Sequence, residues 1–407
     1  MKPDLIIVTD YAHVSGGAEK VGIVSAKGLA QRGYRVTLFS CAGPIDDELA
    51  ATPGVEVVTA YDRYSYHDLG RIKRRTQGAW NKETEAKFAS VLSGRDPYRT
   101  IVHVHSWRDQ LTSSIFQPLQ SFAAPVVMTV HDYGLACPMG GFYDYRLNHA
   151  CRLTGGSQAC MLRNCIQARM EFKLWYFWKY RLMLRRAHVR ERVDRFLFVS
   201  DFARRHLVDY LPAATPQQVL DNPIEVTQKP FSPRETGAPF TYLGRLTAEK
   251  DPVTFALAAK QIGVRPLFVG SGALESAVRE ANPEAEVTGW VGGDVVQAKL
   301  ANARALVFPS RWYEAQPLVI LEALANGVPC LVSDASAARE MISEGVNGLV
   351  FRAGDVEDCA AKLRELSSDD LDERMGRAAY EGYWAEPKTL DRHLAALETV
   401  YEELLRP

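Results

Sequence analysis

The chain has 407 residues, enough for two or three domains and too many for one small binding module. Apolar residues make up 47% and charged residues 24%, which excludes collagen-like and wholly disordered classes. The 48 Lys and Arg nearly cancel the 49 Asp and Glu, so the total charge gives no reason to expect a nucleic-acid partner.

The opening MKPDLIIVTD holds only a four-residue apolar run, too short for the core of an export signal. Nor is there an uninterrupted apolar stretch of the roughly 18 residues that a membrane-spanning helix needs. The chain is therefore expected in the cytoplasm, and its seven cysteines are expected to stay reduced.

Short β-rich runs alternate with helical patterns, the signature of βαβ units and parallel sheets. Strands are predicted at Leu5 to Thr9, Val36 to Ser40, Ile101 to His105, Val126 to His131 and Phe196 to Ser200. From Asp221 the run DNPIEVTQKPFSPRETGAP carries four prolines and reads as a linker. A second series follows at Phe240 to Leu243, Pro266 to Val269, Glu286 to Thr288, Leu306 to Phe308, Cys330 to Ser333 and Gly348 to Phe351. The expected fold is α/β, with two doubly wound Rossmann-like domains facing each other across a cleft. The boundaries are 1–222, completed by a C-terminal helix at 385–407, and 223–384. Ligands are expected at the carboxyl ends of the strands, in that cleft.

The segment SGGAEK at 15–20 follows the first strand and opens a helix, where Gly16 and Gly17 let backbone N–H groups approach an anion. It lacks the G-x-G-x-x-G of a dinucleotide site, and a tight structural turn is the competing reading. Gly244, Arg245 and Lys250 lie just past a strand end, where two cations could neutralise a diphosphate. For Lys250 alone a solvated role competes. Asp251 before Pro252 reads as a helix cap. In PSRWYEAQPLVILEALANGVP, Glu314 sits on a loop and Glu322 on a helix starting near Pro317. Backbone N–H groups near Leu318 and Val319 could meet phosphates while the two carboxylates accept from hydroxyls. Glu322 lies in an apolar run and needs a partner there.

Taken in order, GGAE at 16–19, HD at 131–132, DNPI at 221–224, GR at 244–245 with Lys250, Glu314 and Glu322, GVPCLVSD at 327–334, Glu340 and NGLVF at 347–351 form one pattern. It resembles the family 4 retaining glycosyltransferases of the glycosyltransferase B fold, over almost the whole chain. The resemblance implies that Arg245 and Lys250 bind the diphosphate of a nucleotide sugar, Glu322 the ribose and Glu314 the transferred sugar. It further implies that Gly17 presents backbone to the phosphates and that His131 approaches the reaction centre. His131 has a plain alternative as a strand-end histidine capping a turn. Ala315 and Glu225 depart from the common pattern, at glycine and at Asp or Asn respectively.

The implied activity is metal-independent, retaining transfer of a hexose-type sugar to a saccharide or lipid-linked saccharide in cell-envelope polysaccharide or glycoconjugate synthesis. The rivals are a nucleotide-sugar epimerase on the same fold and a non-catalytic nucleotide-sugar binder. Trp290 reads as a core aromatic, with stacking on a nucleobase as its alternative. Cys137, Cys151, Cys160 and Cys165 fall within 29 residues and read either as a structural zinc site or as reduced structural thiols. Cys41, Cys330 and Cys359 read as core fillers.

From Arg163 to Arg205 there are 12 Lys or Arg against 4 Asp or Glu, a local balance of +8 in a chain whose total is −1. The helical run EFKLWYFWKYRLMLRR within it, and the basic aromatic stretch at 61–80, predict contact with an anionic membrane surface on the inner face of the cytoplasmic membrane. Arg181 and Arg185 are expected to face an acidic acceptor head group, and a solvated basic face around a buried helix is the alternative.

Overall fold

The computed structural model describes residues 2–61, 70–235 and 237–405. Part of the basic stretch read at 61–80, residues 62–69, lies outside them.

The first half builds a seven-stranded sheet from β1 (Asp4–Val8), β2 (Arg35–Ala42), β3 (Val55–Tyr61), β4 (Thr100–Val104) and β5 (Val126–Val130). A short hairpin, β6 (Tyr143–Asp144) and β7 (His149–Ala150), precedes β8 (Arg195–Phe198) and β9 (Gln217–Val219). The order is β3-β2-β1-β4-β5-β8-β9, every neighbouring pair parallel. A parallel sheet covered on both faces must be apolar on both, and Leu5, Ile6, Ile7 and Val8 are all fully buried. Their alternation feeds two cores. Ile6 and Val8 join Phe39, Val102, Met128 and Phe198 on one face. Leu5 and Ile7 join Leu38, Ile101 and Leu197 on the other, under the helix Gly17–Gln31 and the C-terminal helix Leu390–Leu405.

The second half repeats the plan with six strands: β10 (Phe240–Leu243), β11 (Leu267–Val269), β12 (Glu286–Val287), β13 (Ala305–Phe308), β14 (Cys330–Ser333) and β15 (Gly348–Phe351). Their order is β12-β11-β10-β13-β14-β15, again parallel. β3 and β9 are additions to the strands read from sequence. Both are edge strands, and β3 is mostly half-buried, so neither reads as a continuous apolar run.

Each sheet reverses its winding once, between β1 and β4 and between β10 and β13. Residues just beyond those carboxyl ends are therefore brought to one crevice. The loop between β13 and the helix Leu318–Ala325 closes the two halves together. Ala315, where glycine is common in the resemblance, packs into the first half's core, and its carbonyl accepts from Ser200 Oγ. Tyr313 stacks among Phe202, His206 and Tyr133. Glu340 reaches across to the Phe202 N–H at 2.9 Å and to the Arg205 guanidinium.

Asp251 does precede a helix, Pro252–Ile262, with proline at its start. Its carboxylate, however, accepts from the Thr254 hydroxyl (2.6 Å) and Arg311 Nε (2.5 Å) instead of capping backbone N–H groups. Trp290 is 83% exposed, which overturns the core reading: it follows β12, a two-residue strand at the edge of its sheet. Cys41, Cys330 and Cys359 lie in the cores.

Candidate functional site

Two helix starts meet across the crevice. Gly16 precedes the 15-residue helix Gly17–Gln31 and Pro317 precedes Leu318–Ala325, and neither supplies a side-chain cap. Their first N–H groups are left for another acceptor, and the positive ends of both helices point into one space. A methyl group on Gly17 would lie 4.0 Å from Leu318 Cδ1, so the starts nearly touch.

The cavity between them is walled on one side by Asp10, Glu19, His105, Arg108, His131 and Lys179, and on the other by Trp312, Gln316 and Leu318. Asp10 follows β1 and accepts the N–H groups of Asp109 (3.0 Å), Gln110 (2.8 Å) and Leu111 (2.8 Å), which ties the loop after β4 to the loop after β1. Glu19 accepts from Ser106 Oγ at 2.7 Å. His131 Nε2 lies 3.2 Å from His105 Nδ1 with the rings stacked, so one nitrogen of the pair donates and the other accepts. Burial holds His131 down at about 4 and His105 well below the usual imidazole range, so both are neutral near pH 7.

The expected donor residues divide. Lys250 and Glu314 form a tight ion pair, both largely buried, with Ser310 Oγ 3.2 Å from the same carboxylate oxygen. Glu322 finds the partner its apolar setting demands: Lys20 Nζ, from the opposite half, is 4.0 Å away. Burial raises the Glu322 carboxyl, and Lys20 opposes that rise. Arg245 does not join them. Its side chain is 67% exposed and leans toward Glu249 at 3.6 Å, while Gly244 follows β10 with its N–H on the Val269 carbonyl. Of the expected set, Gly17, His131 and Leu318 line the cavity itself. Val319 is half-buried in the first turn of its helix.

Sequence reading missed Asp10, His105, Arg108, Lys179 and Gln316. The signal was position: Asp10 and His105 stand at carboxyl ends of predicted strands beside the winding reversal, which is visible only once strand order is known. Arg181 is half-buried and Arg185 exposed, and neither walls the cavity; Lys179, on the same helix Met170–Arg185, does.

The zinc expectation is corrected. Cys137, Cys151, Cys160 and Cys165 do surround one small void, but Lys173 enters it, fully buried, with Nζ 3.3 Å from Cys165 Sγ and 3.8 Å from Cys160 Sγ. An ammonium thus stands against two of the four sulfurs. Among the described residues no cluster of His, Cys, Asp or Glu has the arrangement to hold a metal ion. Among those residues, too, no helix is long and apolar enough to cross a membrane.

Comparison with known proteins matches residues 15–228 to the profile of Glycosyltransferase Family 4 and residues 239–369 to that of Glycosyl transferases group 1. The lipopolysaccharide 1,6-galactosyltransferase of Salmonella typhimurium is 30% identical over 44% of this chain and 54% of its own length. The sulfoquinovosyl transferase of Arabidopsis thaliana is 33% identical over 34% of this chain and 29% of its own. Those matches thus span about half the length of the first relative and less of the second. In three dimensions, sucrose-phosphate synthase from Thermosynechococcus elongatus superposes with a TM-score of 0.73 at 17% identity, covering 99% of both chains. Anabaena HepE in complex with UDP-glucose superposes with a TM-score of 0.66 at 15% identity, covering 98% of this chain and 99% of its own.

Proposed function

This chain belongs to glycosyltransferase family 4 and has the glycosyltransferase B fold, and from that premise we propose that it transfers a sugar from a nucleoside diphosphate to a saccharide or lipid-linked saccharide hydroxyl, with retention of the anomeric configuration. The observation that carries the reading is the pair of uncapped helix starts, at Gly17 and Leu318, converging on one cavity beside His131. In this reading the division falls at residue 222, and the C-terminal segment from 385 returns to the first half.

As the glycosidic bond breaks, negative charge grows on the leaving diphosphate, and stabilising that charge is the largest contribution a protein can make. The N–H groups of both helix starts and the Lys250 ammonium supply it, with Arg245 turning inward from its exposed position. Lys250 is held by Glu314 without donor; a diphosphate that draws Lys250 away frees Glu314 to accept from the sugar hydroxyls. Glu322 accepts from the ribose in place of its contact with Lys20. His131, neutral and oriented by His105, faces the reacting carbon. Departure and attack on one face of the sugar need no carboxylate nucleophile, and no catalytic divalent ion enters this scheme. The relatives named as transferases favour transfer over epimerisation.

The first half also carries exposed Ile72, Phe172, Leu174 and Trp178 beside Arg75, whose guanidinium lies 5.3 Å from the Phe172 ring. Together with Arg181 and Arg185 this face suits an anionic membrane. Liposome sedimentation tests it: binding is expected to need anionic lipid and to fall with salt, and protein left in the supernatant at low salt refutes it.

The central test is incubation with UDP-, GDP- and ADP-sugars and a panel of saccharide acceptors, followed by proton NMR of early product. Transfer with the donor's anomeric configuration, persisting with chelator present, is expected. Inverted product, free sugar as the only product, or strict need for a divalent ion would refute the scheme.

A further inference from the structure

The cavity wall contributed by the first half has one corner of opposite character to the rest. Its carboxylates are already engaged. Asp10 holds three backbone N–H groups, Glu19 the Ser106 hydroxyl, Asp109 the Tyr11 hydroxyl at 2.8 Å, and Asp132 the Arg108 guanidinium at 2.8 Å. Two cations stand in that wall, Arg108 and Lys179. Arg108 is fixed in place. Besides Asp132 it donates to the Pro138 carbonyl at 3.2 Å, and its side chain fills the space where a Cβ on Gly134 or on Gly140 would sit, 2.1 Å from guanidinium atoms in either case. Lys179 is less satisfied. Its ammonium donates to the Arg108 carbonyl at 2.7 Å, and no carboxylate among the described residues forms an ion pair with it.

Lys179 is half-buried in the cavity wall, and although the Asp10 and Asp109 carboxylates act on it from a distance, its ammonium has one carbonyl as a direct partner, so an anion entering the cavity gains a charge-assisted bond there. Burial and the neighbouring Arg108 pull Lys179 down to about 8, below an ordinary lysine, with Asp10 and Asp109 opposing the fall. The Trp175 ring lies 5.4 Å from Nζ, a cation–π contact that supplies no counter-charge. The donor's diphosphate is assigned to the helix starts and Lys250, which leaves the Lys179 corner of the same cavity for the acceptor.

We propose that Lys179, with Arg108 beside it, is a subsite for an anionic group, phosphate, diphosphate or carboxylate, carried by the acceptor. This rests on the transferase reading and names the acceptor's chemical class. A charge-assisted bond from an ammonium in a desolvated wall discriminates strongly between a charged acceptor and its neutral counterpart. It also moves acceptor recognition from Arg181 and Arg185 to a residue six positions back from Arg185 on the same helix.

The test is calorimetric binding with UDP saturating the donor site, so that no turnover is needed. Glucose 6-phosphate and glucuronic acid are compared with methyl glucoside, and a short-chain polyprenyl-diphosphate N-acetylglucosamine in detergent is a fourth arm that separates a lipid-linked source from a free one. At least one anionic probe is expected to bind tenfold or more tightly than methyl glucoside. Lys179→Met is expected to erase that difference and Lys179→Arg to keep most of it, with UDP affinity within twofold of wild type in both. Equal binding of charged and neutral probes, loss of UDP binding along with probe binding in Lys179→Met, or inorganic phosphate binding as tightly as the sugar phosphate would each overturn the subsite. Failure of UDP, GDP and ADP alike to bind the wild-type protein would instead sink the transferase reading on which it rests, and if GDP or ADP binds in place of UDP that nucleotide saturates the donor site in every arm.

Discussion

At the residue scale, each carboxylate of the Glu314 and Glu322 pair carries a lysine, and the two lysines come from opposite halves. Replacing Lys250 with Ala strands a carboxylate that is only 12% exposed, so it is expected to lower stability by about 1–3 kcal/mol as well as to cut transfer by orders of magnitude. Arg245→Ala removes an exposed side chain and is expected to leave the melting temperature unchanged while still slowing transfer. Thermal melts and initial rates on both variants check the contrast, and full activity in Arg245→Ala would remove that residue from the donor site. Lys20→Met tests the other pair. The Glu322 carboxyl is already raised by burial and Lys20 opposes the rise, so without Lys20 it protonates at higher pH. A protonated carboxyl is a poorer acceptor for ribose hydroxyls, and the acid side of the UDP-affinity profile is expected to move upward in pH. Calorimetry from pH 5 to 8 reads this, and an unmoved profile refutes the coupling.

At the element scale, the C-terminal helix Leu390–Leu405 is joined to the first sheet by more than apolar packing. Tyr401, fully buried, lies with its hydroxyl 2.6 Å from His103 Nδ1, and His103 Nε2 is 2.8 Å from Thr129 Oγ1. His103 in turn packs against His105, their ring centroids 4.2 Å apart, and His105 holds His131. One line of buried rings therefore runs from the chain's last helix to the cavity. Tyr401→Phe leaves His103 Nδ1 without its partner and is expected to cost about 1–3 kcal/mol in urea unfolding. An effect below about 0.3 kcal/mol would show that the hydroxyl is dispensable.

At the scale of the whole molecule, stability is expected to fall on the acid side. Burial holds His103 at about 3 and His131 and His393 at about 4, against about 6.5 in an unfolded chain. Between those values the unfolded state binds more protons than the folded one. The stability these neutral imidazoles contribute is thus complete above about pH 6.5 and lost as pH falls toward 4. For His103, fully buried, the loss is on the order of a few kcal/mol. Melting temperatures in a low-salt buffer series from pH 7.5 to 4.5 check it, and a flat series would show that the three rings gain other stabilisation when charged. Apart from the acid limb, the loop with Tyr313 and Ala315 seats the second half against the first.

By itself the sequence determined the periodicity, and with it the two parallel sheets, because a strand buried on both faces must be apolar throughout; β10, β14 and β15 begin and end where composition places them. It also exposed the glycine pair before Glu19 and the charged Glu322 in an apolar helix, since each is locally improbable without a reason. Tertiary structure decided what depends on neighbours distant in the chain. Edge strands β3 and β9 need a partner before they look like strands, and Trp290, exposed, follows a strand at the edge of its sheet. The four cysteines gather as their spacing permits, yet Lys173, from the helix that follows, stands against two of their sulfurs. Lys179 reads in sequence as one more cation in a basic run. Only the crossing of its helix over the loop after β4 sets it against the Arg108 carbonyl in the cavity wall, because charge patterning fixes how many cations a segment has, whereas packing fixes which of them lose their water.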